Sequence, residues 1–448
     1  MRKSVSEGIA DVNAPRLSDD PEHPPVARVP VDVHGQAGFR SGASVAAKPF
    51  VLAAFFDGHP TDGGQYVHKR GTLRVLRDLQ RPDLKVVVIC DSAEAAAVAR
   101  QHGLRAVTMS RTFGSQLLGR LAALRITRRA LGRSLGPKLS PIDRLMRQLE
   151  VDLVFFAGQD PRARQLYGYS YIFTVMDLCH LENPDFPEVA HAGEFDRREA
   201  LFQDVLRGAA GVIADSEHGR NLVARHYGVP IDRVAAAPFL IDEQFASWVS
   251  VPEHAAKVAA KYGLEKTYLF YPAQFWAHKN HRYIISALYV MKQKFGEIPQ
   301  AVFCGSDKGA LQQVQRYAES LCVQDRVKYC GFVPSEDLPY LYAGALALVM
   351  PTYFGPTNIP PMEAAALGVP VCYSDFPSFR EQMGAGATYV DLERPETLAD
   401  ALHRLATQPA CPAVAATEAR AQDERYLHVL RRMIGKFRRR TIDPLAAD

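Results

Sequence analysis

The stretch ALALVMPTYFGPTNIPPMEAAALGVPVCYSD, residues 345–375, decides the reading of this chain. It opens with an apolar run, ALALVMP (345–351), of the kind that forms a strand buried on both faces of a parallel sheet. A loop rich in Gly, Pro and Asn follows, and then a helix opening near Pro360 or Pro361, because proline is tolerated in a first helical turn. A second apolar run, VPVCYSD (369–375), completes the unit. Strand, helix and strand in this order make a βαβ crossover, the connection that parallel strands require.

The same alternation recurs upstream. TYLFYPA (267–273), AVFCG (301–305) and VKYCG (327–331) read as strands, with helices at His281–Lys294, Lys308–Leu321, Ser335–Ala343 and Met362–Leu367. Before them, PFVLAAFF from Pro49, KVVVIC (85–90), VDLVFFA (151–157), YIFTVMD (171–177) and GVIADS (211–216) read as a first set of strands, with helices at Gln65–Leu79 and Ala93–His102. Such alternation is the mark of doubly wound α/β domains. The expected fold class is therefore α/β, two Rossmann-like doubly wound domains facing across a cleft.

Four segments follow from this. Residues 1–46, which include the run Asp20-Pro21-Glu22-His23-Pro24-Pro25, read as a disordered tail. Residues 47–240 read as the N-terminal domain and 241–415 as the C-terminal domain, the boundary lying just after Pro238. Residues 416–448 hold a helix from Thr417 to Arg438, basic at its end and expected to pack back across the domains. Open α/β sheets bind ligands at the carboxyl ends of their strands, so the site belongs in the cleft.

Bulk composition bounds the class. The chain has 448 residues, enough for two domains plus extras, with 47% hydrophobic and 23% charged residues, an ordinary globular balance. A net charge of +4 does not by itself imply a nucleic-acid or membrane partner. Seven cysteines without CxxC or Cys/His zinc spacing read as reduced thiols, and no run reaches the roughly 18 apolar residues of a membrane span. The expected location is cytoplasmic.

Three motifs carry chemistry. In PTYFGPTNIPPMEAAALGVPV (351–371), backbone N–H groups at the loop and helix start favour an anion. Glu363, read as lying in the first turn, is well placed to accept hydrogen bonds from a ribose diol; the lesser alternative on local grounds is that it simply complements the helix dipole. In YPAQFWAHKNHRYIISAL (271–288), a strand end presents His278, Lys279 and Asn280 just before an amphipathic helix, so Lys279 can reach a phosphate across the cleft. A lysine on a loop can also be merely solvated. In FTVMDLCHLENPDFPEV (173–189), a buried strand delivers Asp177 and His180 to a Pro-rich loop facing the sugar end of a bound donor, though His180 as a hydrogen-bonded structural histidine fits equally well.

Together these segments resemble family 4 of the retaining glycosyltransferases, with the fold called GT-B, and particularly its bacterial surface-polysaccharide members that transfer mannose, rhamnose or related sugars. The similarity spans roughly residues 50–410 and is sharpest in the C-terminal half. It implies an enzyme, a hexosyltransferase, that takes its sugar from a nucleotide diphosphate and delivers it to a polysaccharide or lipid-linked glycan. It implies that Gly63 and Gly64 meet the donor diphosphate, that Lys279 binds the diphosphate, and that Glu363, the second of two glutamates eight apart, binds the ribose.

Three positions depart from the family pattern. The first of the two glutamates is replaced by Gly355, leaving Pro356, Thr357, Asn358, Ile359 and their backbone amides to contact the donor. Gln274 stands where an arginine is frequent. Met176 stands where a histidine is expected, leaving Asp177 and His180 as the catalytic candidates beside Lys279. The resemblance also implies retention at the anomeric carbon with no metal and no cofactor besides the nucleotide sugar. The sequence accordingly has no Asp-x-Asp motif for a nucleotide-bound divalent ion.

Residues 111–147 hold Arg111, Arg120, Arg125, Arg128, Arg129, Arg133, Lys138, Arg144 and Arg147 against the single acid Asp143. Interleaved with Leu and Ile, they make a basic amphipathic face suited to anionic lipid at the inner side of the cytoplasmic membrane; an ordinary solvated face reads the same way. Gly132-Arg133-Ser134-Leu135-Gly136 matches the GxSxG elbow but follows no strand, so it is set aside. No GxGxxG, P-loop, HExxH or zinc quartet occurs, and no basic face interleaved with aromatics points to nucleic acid. Two further readings stay open beside the transferase, a sugar-nucleotide epimerase of the same fold and a non-catalytic protein that binds nucleotide sugars.

Overall fold

All seven residues of FVLAAFF, strand β1 (Phe50–Phe56), are buried, the condition of a central strand covered by helices on both faces. A computed structural model describes residues 48–59, 63–109, 138, 140–355, 357–408 and 417–442. The expected tail at 1–46 and most of the basic stretch 111–147, with its GxSxG match, lie outside these residues. The first sheet comprises β1, β2 (Leu84–Cys90), β3 (Arg105–Thr108), β4 (Leu153–Phe156), β5 (Tyr171–Val175), β6 (Gly211–Ala214) and β7 (Val234–Ala236), all parallel, in the order β3-β2-β1-β4-β5-β6-β7. Phe55 of β1 stacks on Phe156 of β4 at 5.0 Å between ring centroids. Truncating such a ring costs about 3–5 kcal/mol, because dense neighbours cannot collapse into the hole.

The second sheet is also parallel. Strands β8 (Tyr268–Pro272), β9 (Gln300–Cys304), β10 (Val327–Tyr329), β11 (Ala347–Met350), β12 (Val371–Ser374) and β13 (Thr388–Val390) run in the order β10-β9-β8-β11-β12-β13. Both sheets reverse their winding direction at one place, between β1 and β4 and between β8 and β11. At such a point the loops on neighbouring strand ends diverge to opposite faces and leave a crevice. The sequence places every central strand within a few residues, whereas β3, β7 and β13 were not foreseen. These are short edge strands of three or four residues, with too little apolar alternation to stand out.

The expectation that the last helix packs back is met. Helix Thr417–Ile442 returns to the first sheet, where Tyr426, Val429, Leu430 and Ile434 join the core around Phe50 and Leu73. Arg74 donates Nε and Nη2 to the two carboxylate oxygens of Asp423 at 2.9 and 3.0 Å, a bidentate geometry that fixes direction as well as distance. On its other side Gln422 Nε2 lies 3.1 Å from Met362 Sδ. The helix therefore touches both halves. From Lys48 onward the chain is one compact unit, and further links cross between the halves: Thr357 Oγ1 donates to the Asp215 carbonyl at 3.1 Å, and Glu381 accepts the backbone N–H of Glu217 at 2.6 Å. In the second of these a carboxylate sits on a helix N-terminus, where the helix dipole favours it.

Candidate active site in the cleft

Lys279 is positioned by its backbone. After β8 the chain makes one short 3-10 turn, Ala277–Lys279, and then Asn280 adopts φ 52° before helix His281–Phe295 begins. Asparagine is among the few residues that take this left-handed conformation at low cost. The Tyr271 hydroxyl donates to the Lys279 carbonyl at 2.8 Å, and the His278 carbonyl accepts Tyr353 N at 2.9 Å and Thr352 Oγ1 at 3.2 Å. The loops after β8 and β11 are thus tied together before any ligand arrives.

The Lys279 ammonium donates to Asn358 Oδ1 at 3.2 Å. Among the described residues no carboxylate lies within ion-pair distance of it. Loss of hydration in the cleft lowers its pKa to about 8, because burial disfavours the charged form. A cation held by a neutral amide keeps its capacity for an anion. Asn358 is itself pinned: its Nδ2 donates to the Gly355 carbonyl at 2.5 Å and to Tyr373 Oη at 2.7 Å.

A cavity of about 760 Å³ opens at this point between the two halves. Its walls include Gly63, Gly64, Asp177 and Arg198 from the first half and Gln274, His278, Lys279, Thr357, Asn358 and Ile359 from the second. Gly63 has φ 68° and caps helix Gly64–Leu79. A Cβ on Gly64 would lie 3.4 Å from Ile359 Cδ1 across the cleft, so the two halves approach closely here and anything beyond a methyl group would fill the gap. Gln274 receives Trp276 Nε1 at 3.0 Å. Pro356 lies outside the described residues.

Position 355 explains itself sterically. Gly355 has φ 105°, and a Cβ there would fall 2.8 Å from Asn358 Oδ1. A glutamate at this position would displace the amide that holds Lys279. Among the described residues the second half accordingly contributes no acidic side chain to the cavity, whose acids are Asp177, Glu188 and Glu194, all from the first half.

Two expected residues sit elsewhere than foreseen. His180 does not line the cavity. Its ring is fully buried against Phe195 and Phe202, and Nε2 lies 3.0 Å from Glu199 Oε1. Burial lowers its pKa, so it is a neutral structural histidine; the reason is the short helix Cys179–Glu182, which turns residue 180 inward. Glu363 lies in the second turn, because the helix begins at Ile359, earlier than the prolines suggest. Its carboxyl is buried, accepts the Tyr342 hydroxyl at 2.6 Å, and is pushed up to about 7 by burial. Ile359 and Pro360 line the cavity, and Glu363 is not among its lining residues.

Asp177 does line the cavity. Burial raises its carboxyl, and the Arg198 guanidinium 2.6 Å away together with the hydrogen bonds from Cys179 reverses this, leaving it below the usual carboxylate range. It is ionised at neutral pH. Glu188 was missed by the sequence reading. It comes from the first half, on the short helix Pro187–Ala190, and crosses the cleft so that its Oε1 accepts His278 N at 2.8 Å and contacts His278 Nδ1 closely. Phe186 beside it packs on His278, Tyr353 and Phe354. Nothing local marks this residue, since its partner lies 90 positions away.

Comparison with known proteins agrees with the geometry. Residues 255–422 match the family described as Glycosyl transferases group 1. The chain is 26% identical over 198 residues to O-antigen chain mannosyltransferase B of Escherichia coli, covering 43% of this chain and 50% of that protein. It is 31% identical over 134 residues to O-antigen chain mannosyltransferase RfbU of Salmonella typhimurium, covering 30% and 37%. The matched parts thus span half or less of these relatives. Among solved structures, HepE of Anabaena in complex with UDP superposes with a TM-score of 0.60 at 15% identity over 87% of this chain and 99% of that one. WaaG, a glycosyltransferase involved in lipopolysaccharide biosynthesis, gives 0.55 at 16% identity over 85% and 94%. The resemblance read from residues 271–288 and 351–371 is borne out: residues 255–422 match the glycosyltransferase group 1 family, and the chain has the GT-B fold of two facing Rossmann-like halves.

Proposed function

We propose that the protein is a retaining glycosyltransferase that moves a hexose or deoxyhexose, mannose- or rhamnose-like, from a nucleotide diphosphate to a polysaccharide or lipid-linked glycan. The observation that carries this reading is the ammonium of Lys279, paired among the described residues with an amide and no carboxylate, set in the cleft beside the start of helix Ile359–Ala366. A diphosphate leaving group develops negative charge as the glycosidic bond breaks. A preorganised cation, helix-end N–H groups and the amides near Gly63 and Gly64 would stabilise that charge without a metal ion. Asp177, ionised and in the cavity wall, is placed to take a hydrogen bond from a sugar or acceptor hydroxyl. Glu363 would reach the ribose only if ligand binding adjusts the first turn of its helix.

The relatives named as O-antigen mannosyltransferases and the UDP complex of HepE support a glycan acceptor and a nucleotide donor. No helix among the described residues is long and apolar enough to cross a membrane. We place the protein in the cytoplasm, with the basic stretch 111–147 resting on the inner face of the membrane. The test is to incubate the purified protein with labelled nucleotide sugars and a membrane extract. Label transferred to lipid or polysaccharide supports the reading, epimer formation favours an epimerase, and binding without either product favours a non-catalytic protein.

A further inference from the structure

Three acids line the cleft, and one of them is left incomplete. Asp177 is engaged by Arg198 and by Cys179 N, and Glu194 by Arg197 and Arg198. The Glu188 side chain is only 6% exposed. Its Oε1 takes both donors of His278, while Oε2 is buried and has no hydrogen-bond partner among the described residues. Burial opposes ionisation of Glu188, but the two His278 donors outweigh it and hold the carboxyl below its ordinary range. The residue is therefore a carboxylate, and burial lowers the facing His278 ring to about 4, which keeps it neutral at physiological pH.

A buried carboxylate oxygen without a donor is costly. In a finished site something supplies the missing hydrogen bond. Oε2 itself has almost no contact with solvent, but Glu188 lines the cavity, and a shift of its side chain would bring a ligand hydroxyl held there within reach. The residue after its partner His278 is Lys279, so a group delivered to Glu188 sits next to whatever anion Lys279 holds. A polyol attached to a phosphate meets both demands, because its hydroxyls donate to the carboxylate while its phosphate meets the ammonium.

We propose that Glu188 is a sugar-binding residue of the cleft, accepting a hydroxyl of the donor glycosyl group on Oε2 while Oε1 holds His278. This rests on the transferase reading above and adds to it that the first half, not the second, supplies the carboxylate that reads the sugar.

The test uses the full chain and the variants Glu188→Gln and Glu188→Ala, titrated calorimetrically with UDP, UDP-glucose, GDP and GDP-mannose. Glutamine keeps an oxygen for His278 but replaces the free acceptor with an N–H₂ donor. The expected result is that Glu188→Gln weakens the nucleotide sugar about tenfold or more and leaves the matching nucleoside diphosphate within about twofold. Glu188→Ala weakens the sugar at least as much. Equal losses for sugar and diphosphate, or no loss for either, overturn the proposal while leaving the transferase reading in place. Failure of the wild-type chain to bind any of the four overturns both.

Discussion

Lys279 Nζ lies 3.2 Å from Asn358 Oδ1, and this contact joins the loops after the two strands, β8 and β11, at which the second sheet reverses its winding. One residue brings the charge and the other fixes it without neutralising it. Were Asn358 an aspartate, the ammonium would be paired before a ligand arrived. The amide instead leaves a desolvated cation whose attraction for a diphosphate is undiminished by a fixed counter-charge.

Diphosphate binding should therefore depend on pH through Lys279. Its pKa of about 8 without ligand means that the cation is present below that value and lost above it. Affinity for a nucleoside diphosphate should hold between pH 7 and 7.5 and fall by up to about tenfold per pH unit well above 8. Lys279→Arg, charged throughout, should bind with a flat profile over the same range. Calorimetry in matched buffers reads both, and an equally steep fall in the arginine variant would assign the titration elsewhere.

Glu363 sets stability against function. Its folded pKa of about 7 lies above the ordinary value of 4.5, so the stability linked to its neutral form is complete below pH 4.5 and is lost as the pH rises through 7. Glu363→Gln removes the burden of ionisation and keeps an acceptor for Tyr342. The variant should be more stable than wild type at pH 8, on the order of 2 kcal/mol, and nearly equal to it at pH 5. Transfer activity should drop if the carboxylate meets the ribose. Melting curves at the two pH values, beside one activity measurement, separate these roles.

Much of this was legible in the sequence, and the reasons are physical. Central parallel strands such as FVLAAFF and ALVM are apolar throughout because both faces are covered, and Gly63, Gly64 and Lys279 stand at strand ends, where chain order alone places them near the crevice. Relations that span the two halves were hidden. Glu188 meets His278 through a segment with no periodicity of its own, and His180 looks like a site residue until the short turn at Cys179–Glu182 directs it into the core.

His180→Ala should accordingly act on folding. Removing a buried ring between Phe195 and Phe202, and with it one of the hydrogen bonds to Glu199, should cost about 2–4 kcal/mol. Turnover per folded molecule should stay within about threefold of wild type, well short of the loss caused by removing a general acid or base. Denaturant unfolding with activity normalised to folded protein measures this, and a hundredfold loss of turnover at unchanged stability would restore a catalytic role.

Gly64 tests how closely the halves meet. Gly64→Ala should be tolerated, since its Cβ finds ordinary contact with Ile359. Gly64→Leu should hold the cleft open and lower donor-dependent transfer about tenfold or more, with the melting temperature little changed because each half keeps its own core. Wild-type transfer by the leucine variant would show that the gap does not close during the reaction.

Whether one ammonium in this cleft holds the phosphate end of a nucleotide sugar is decided by titrating wild type and Lys279→Ala with UDP and GDP. At least one diphosphate should bind wild type, and its affinity for the variant should fall about a hundredfold at an unchanged melting temperature. Equal affinity in the two proteins, or no binding of either diphosphate to wild type, would take the phosphate-binding role away from Lys279.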